Sequence, residues 1–262
     1  MLRKRIIFSL IYDNDKFTQS RNFRLQKAGD IRWLEKNYKF QQIAWSLDEL
    51  IVLDATRGEK DKVKFSKTLS KLVDDVFIPI TAGGGITCLD DAKLLFDSGA
   101  DKIVVNSLAY NDPAVLEDLA SKYGSQSVVV SVDFKKEAEK CVVYIKNGTE
   151  RLDESLEEHL LHAQKSGAGE IYLNSIDQDG TGFGYDTESI NRLNHVINVP
   201  LIIAGGAGNQ KHLIEGLALD NVDAVATANL FNFVGNGLPK ARTEILAQNG
   251  NLANWGDLED TN

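Results

Sequence analysis

The sequence predicts a closed (β/α)8 barrel of the TIM type, and three observations predict it. Short runs rich in β-branched residues recur eight times along 262 residues; stretches with a helical apolar face separate them; and the first half of the chain maps onto the second at one fixed offset. The runs are RIIFSLI (5–11), ELIVLD (49–54), IPITA (78–82), KIVVN (102–106), SVVVSVD (127–133), EIYLN (170–174), PLIIA (200–204) and DAVAT (223–227). Most are continuously apolar, as parallel strands covered on both faces must be.

Between the strands, Asp90-Asp91 before AKLLFDSG, Asn111-Asp112-Pro113 before AVLEDLA and Asp153 before ESLEEHLLHAQKSG read as helix starts, and Gly99 and Gly167 as helix ends. IPITAGGG around residue 83 matches PLIIAGGAG around residue 205, and GADKIVVNS from Gly99 matches NVDAVATAN from Asn221; 205 minus 83 and 221 minus 99 both give 122. Chance likeness of strand-turn-helix units explains one such match and poorly explains a shared offset. The expectation is one barrel domain over 1–262, with half-barrels of roughly 1–122 and 123–245 and a polar tail after about 248, closed so that no sheet edge is left.

Composition narrows the function. With 43% hydrophobic and 26% charged residues the chain has material for a core and does not read as disordered. A net charge of -9 argues against nucleic acid as a partner, because such binding relies on Lys and Arg releasing counterions. The apolar run after Arg3, Lys4 and Arg5 is too short to span a membrane and no small-residue cleavage site follows, so it reads as a buried strand. Cys88 and Cys141 stand alone, which suggests neither a disulfide framework nor a zinc site. No metal or cofactor is expected, and a reducing cytoplasm fits.

Active sites of such barrels lie at the C-terminal strand ends. Gly83, Gly84 and Gly85 end strand three, and Gly205, Gly206, Ala207 and Gly208 end strand seven. Glycine lets backbone N–H groups approach an anion, and two such loops half a barrel apart suit a phosphorylated small molecule with two phosphates. Tight turns alone would explain either loop, but not the pairing. Asn106 and Ser107 after strand four, with Ala228 and Asn229 after strand eight, are the natural second contributors.

KRII, DELIVLD, FIPITAGGGI, SGADKIVVNS, YGSQSVVVSVD, GAGEIYLNSIDQDGTGFGYD and AGGAGN together resemble, end to end, the cyclase subunit of imidazole glycerol phosphate synthase. The resemblance implies a barrel that takes ammonia from a glutaminase subunit docked at the N-terminal face and passes it through the core to the mouth. It implies an ammonia gate at Arg5, Glu49, Lys102 and Glu170. Four such charges on inward-facing strand starts would be costly to bury without mutual pairing.

The family's cyclisation uses two aspartates, ending strands one and five. Here strand five ends in Asp133, while Ile11 stands at the strand-one position. An aliphatic chain neither donates nor accepts a proton. Asp13 and Asp15 follow closely, and a relocated acid from that loop is the alternative. The family's loop lysine maps onto Gln19, and its serine before the second glycine cluster onto Ala204. Changes thus gather at the mouth while the gate residues match. The resemblance therefore implies a paralogue that supplies ammonia, through a glutaminase and an N-acetyl-sugar amidotransferase, for amidination of a surface-polysaccharide sugar. A true histidine-pathway cyclase and a noncatalytic scaffold or glutaminase activator are the alternatives.

Other residues carry weaker signals. Asp54, Asp177 and Asp179 end strands two and six, where a carboxylate orients a substrate hydroxyl or merely caps a turn; Asp179 matches a family active-site position. The stretch from Tyr12 to Gly29 reads as a long charged loop or lid with Lys16, Arg21, Arg24 and Lys27. His159, His162, His195 and His212 read as surface residues on outer helices. CVVYIKNGTER (141–151) reads as a hairpin after strand five.

Overall fold

A computed structural model describes residues 3–38, 46–228, 237–247 and 251–253. Eight strands close into a parallel barrel: β1 (Arg5–Asp13), β4 (Glu49–Asp54), β5 (Ile80–Gly83), β6 (Lys102–Val105), β7 (Val128–Glu137), β10 (Glu170–Ser175), β11 (Leu201–Ala204) and β12 (Ala224–Thr227). The ring shuts where β12 pairs with β1 in parallel, from Arg5↔Ala224 to Phe8↔Thr227. The helices α1 (Ile31–Tyr38), α2 (Lys62–Asp75), α3 (Leu89–Asp97), α4 (Ser107–Asn111), α5 (Pro113–Tyr123), α6 (Leu156–Lys165), α7 (Thr187–Arg192), α8 (Gln210–Leu217) and α9 (Gly237–Ala247) lie between and after the strands.

Strand alternation sorts the core into two. On β1, Ile6, Phe8 and Leu10 point outward into the layer shared with the helices, and Ile7 points into the bore; on β4, Leu50 and Val52 point out and Ile51 points in. This explains the continuous apolar runs, since both faces are covered. In α2, Phe65, Leu69 and Leu72 recur at helical spacing and cover the sheet, each fully buried leucine contributing roughly 1.5–3 kcal/mol. Asp61 opens that helix by accepting from the Lys64 N–H at 2.9 Å. Asp112 caps α5 ahead of Pro113, as its sequence predicts.

Three expectations are corrected. Residues 12–29 are not a loop: β1 runs on past the barrel and pairs antiparallel with a hairpin of β2 (Lys16–Arg21) and β3 (Arg24–Gly29). Its tight turns use Asn14-Asp15 and Asn22-Phe23 at positive φ, so they carry none of the glycines that usually signal a hairpin. The helix placed after Asp153 is capped by Ser155 and starts at Leu156, because Ser155 and Glu158 form a capping box and the preceding residues are claimed by a strand. His159 is not on the surface: only 2% exposed, it sits on the inner face of α6 with Nδ1 2.9 Å from the Glu154 carboxylate. His162 and His195 are exposed, and His212 is half-buried with Nδ1 accepting from the Gly208 N–H.

The second hairpin lies where the Asn-Gly signal puts it. β7 overruns the barrel, pairs antiparallel with β8 (Lys140–Ile145), and β8 with β9 (Glu150–Ser155), around a turn with Lys146, Asn147 and Gly148 at positive φ. Among the described residues no helix is long and apolar enough to cross a membrane.

Candidate active site at the barrel mouth

Charge enters the barrel at its lower end. Arg5 on β1 pairs through Nη1 with Glu49 of β4 at 2.7 Å and through Nη2 with Glu170 of β10; Lys102 of β6 reaches Glu170 at 2.9 Å and Glu49 at 3.4 Å. Thr81 donates its hydroxyl to Glu49 at 2.5 Å. Two cations and two carboxylates thus close a four-membered ring across the bore. Both glutamates are nearly fully buried, so removing either cation would leave a buried carboxylate without its ion pair, at a large cost. Burial alone would lower the Arg5 pKa; Glu170 and Glu49 outweigh it and raise it.

Above the ring the bore is apolar, with Ile7, Ile51, Val129 and Ile202 fully buried. Next come Ser9 and Tyr172, hydrogen-bonded at 3.1 Å. Above them a cavity of about 700 Å³ opens at the C-terminal strand ends, a size suited to a small-molecule ligand.

Asp133 stands in that cavity near the end of the barrel part of β7. Asn106 donates to it at 3.1 Å and Asn174 at 3.3 Å. Burial pushes its carboxyl up to about 7; the two amides oppose that shift and the nearby Asp179 charge adds to it. A carboxyl so placed exchanges protons at neutral pH. Ile11 lines the same cavity from β1, paired with Leu53 and Thr18, and Gln19 and Ala204 line it too. Asp13 and Asp15 do not: Asp15 accepts from the Tyr12 hydroxyl at 2.9 Å and pairs with Lys64.

The two glycine loops face the cavity. A Cβ on Gly84 would lie 2.2 Å from the Asp54 carbonyl oxygen, and one on Gly206 1.9 Å from that of Gly184, and both have positive φ. Only glycine lets these loops lie so close to their neighbours. Gly85 and Gly205 line the cavity with them, as do Ser107 and Ala228. Asn229 lies outside the described residues.

Several carboxylates are engaged by the fold. Asp54 accepts from the Thr56 N–H at 2.9 Å. Asp177 accepts from the Lys136 N–H at 2.8 Å. Asp179 accepts from the Ser20 hydroxyl at 2.5 Å and from the Phe23 N–H at 3.0 Å, so it ties the first hairpin to the barrel.

Sequence reasoning missed several cavity residues. Lys60, from the loop after β4, donates to the Asp54 carbonyl at 2.5 Å and lies 3.4 Å from its carboxylate; burial lowers its pKa against the pull of Asp54. It occupies the space a side chain at Gly85 would fill. Its one sequence signal is its place six residues beyond Asp54. Ser9, Tyr172 and Asn174 are legible only as inward positions of strands one and six. Thr227, the last residue of β12, also lines the cavity, and its buried hydroxyl has no partner among the described residues.

An eight-stranded parallel barrel with buried ionisable groups at its mouth defines an enzyme-like (β/α)8 scaffold. Residues 18–235 match the histidine biosynthesis protein family, and the chain belongs to it. It is 44% identical over 262 residues to a Parasynechococcus marenigrum (strain WH8102) protein bearing the name imidazole glycerol phosphate synthase subunit hisF2, covering 100% of this chain and 97% of that one. It is 37% identical over 243 residues to imidazole glycerol phosphate synthase subunit HisF of Chlorobium phaeovibrioides (92% and 95% covered). Against HisF of Chlorobium phaeobacteroides (strain BS1) the identity is 38% over 251 residues (95% and 98% covered).

Proposed function

We propose that this chain is an ammonia-channelling synthase subunit that pairs with a glutaminase at the lower end of the barrel. It delivers ammonia for amidination of a surface-polysaccharide sugar, with an N-acetyl-sugar amidotransferase as the acceptor-activating partner. One observation carries the reading: the ion ring of Arg5, Glu49, Lys102 and Glu170 is complete, while Ile11 shares the mouth with Asp133. The ring gates ammonia, and the apolar bore above it favours the neutral molecule over the ammonium ion. Asp133, poised near neutrality, is the remaining proton-exchanging group at the exit. The loops at Gly84–Gly85 and Gly205–Gly206, with Asn106, Ser107, Ala228 and Asn229, hold phosphate groups of a bound ligand. Asp54 and Asp179 act beside it by fixing Lys60 and the first hairpin.

A histidine-pathway cyclase is the second reading, favoured by the HisF relatives at 37–38% identity along nearly the whole chain. Cyclase turnover with ammonium salt, wild type against Ile11→Asp, separates the two. Loss of one general acid or base costs about 10²- to 10⁴-fold, so the wild type is expected at least that far below Ile11→Asp. Wild-type turnover equal to that of the variant would sink the amidination reading and establish the cyclase.

A further inference from the structure

Among the described residues, the Ser9–Tyr172 pair is the polar contact that crosses the bore between the ion ring and the mouth. Strands β1 and β10 are not neighbours: β11 and β12 separate them around the ring. A 3.1 Å bond between Ser9 Oγ and the Tyr172 hydroxyl therefore spans the interior and does not merely run along a wall. Both residues are almost fully buried, at 2% and 4% exposure. On the β11–β12 side the small residues Ala204, Ala224 and Ala226 belong to the same buried cluster as Tyr172. The mouth cavity reaches Ser9, Tyr172 and Ala226, whereas Ile7, Val129 and Ile202 just below do not line it.

We propose that Ser9 and Tyr172 form a second, uncharged constriction in the barrel, at which a small neutral hydrogen-bonding molecule is passed from the apolar bore to the mouth. The inference rests on the conduit reading above and adds to it a specificity-determining pair. Serine and tyrosine hydroxyls each offer one donor and acceptor lone pairs. Ammonia also donates and accepts, so it replaces the Ser9–Tyr172 bond with one bond to each hydroxyl, and no buried polar group is stranded while the constriction is open. A cation arriving from below meets the aliphatic side chains of Ile7, Val129 and Ile202 and is refused by desolvation. Once past the pair the molecule meets Asn174 and Asp133, which are already hydrogen-bonded to each other at 3.3 Å.

The test reads access to a point below the pair. In a full-length chain carrying Cys88→Ser and Cys141→Ser, Val129→Cys places a near-isosteric thiol in the fully buried layer under Tyr172, and methyl methanethiosulfonate is the probe. Tyr172→Phe keeps the ring and removes only the hydroxyl, and Ser9→Ala removes its partner. Each is expected to speed labelling of the thiol by about tenfold, the size of one hydrogen bond lost from the barrier. Tyr172→Ala, which also removes the ring, is expected to speed it further. Leu119→Cys, equally buried but in the outer helical layer, serves as the control for loosening of the whole fold, and its labelling should not change. Equal labelling at Val129→Cys in all backgrounds, or acceleration matched by Leu119→Cys, overturns the constriction. The conduit reading fails separately: transfer of ¹⁵N from glutamine by the glutaminase complex would be missing although the labelling pattern held.

Discussion

Strands β1 and β7 overrun the barrel in the same way, each continuing into an antiparallel hairpin arm, β2–β3 on one side and β8–β9 on the other. The shift of 122 residues seen in the glycine loops also brings Ile11 onto Asp133, since 133 minus 11 is 122. The arms are nevertheless held by different forces. The second buries Val142, Val143, Ile145 and Leu152 and leads directly into the capping box of α6. The first buries Phe17 and Thr18 and otherwise depends on polar ties: Ser20 and Phe23 to Asp179, and Asn22 to the carbonyls of Ile176 and Asp177. One scaffold, used twice, thus carries a packed arm beside a buried carboxyl and a tethered arm beside an aliphatic residue.

The largest effect that sharpens this contrast is a cavity in the packed arm. Leu152→Ala is expected to cost about 2–5 kcal/mol, as for other buried leucines, while Leu25→Ala in the half-buried first arm costs less than about 1 kcal/mol. Urea unfolding of both variants measures the difference, and equal losses would erase the distinction between the arms.

A smaller effect comes from Asp133 itself and is absent from Ile11. In the folded chain the Asp133 pKa is raised from 3.8 to about 7, so between those values the unfolded chain has released a proton that the folded chain still holds. Stability therefore falls as pH rises across that window and is level above it. Asp133→Asn lacks this loss. Each pKa unit corresponds to about 1.4 kcal/mol, so the rise to about 7 corresponds to at most about 4 kcal/mol; relaxation around the buried group reduces this, and the variant is expected to gain about 2 kcal/mol over wild type at pH 8 and nothing below pH 4. Parallel pH–stability curves for the two proteins would place the Asp133 carboxyl at its ordinary pKa.

The barrel was legible because its signal is collective: eight apolar runs and one repeated offset survive any single misjudged boundary. The ion ring was legible by resemblance, and its pairing geometry follows from inward-facing positions on β1, β4, β6 and β10. What stayed hidden depends on contacts between distant segments. Asp179 reads as a turn residue or a substrate ligand until the first hairpin is seen to use it, and that hairpin is disguised by turns built on Asn and Phe at positive φ. His159 looks like an exposed helix residue until Glu154, on the preceding strand, accounts for its ring nitrogen. Tyr172 is one more aromatic in a buried strand, and only closure of the barrel sets it against Ser9.

The smallest predicted effect concerns the tether of the first arm. Ser20→Ala removes one of the two hydrogen bonds received by the buried Asp179 carboxylate and leaves the Phe23 N–H in place. A bond of this kind is worth about 1 kcal/mol, so local opening of the arm should become about fivefold more frequent. Few apolar contacts hold β2 and β3, so that opening is expected to stay local and not spread to the barrel. Hydrogen exchange should rise for the amides of residues 17–29 and remain unchanged for 140–155, whose arm is held by packing. Faster exchange in both arms would mean that they open as one unit; unchanged exchange in the first would mean that Phe17 and Thr18 hold it, and Asp179 would then be free to serve the ligand at the mouth.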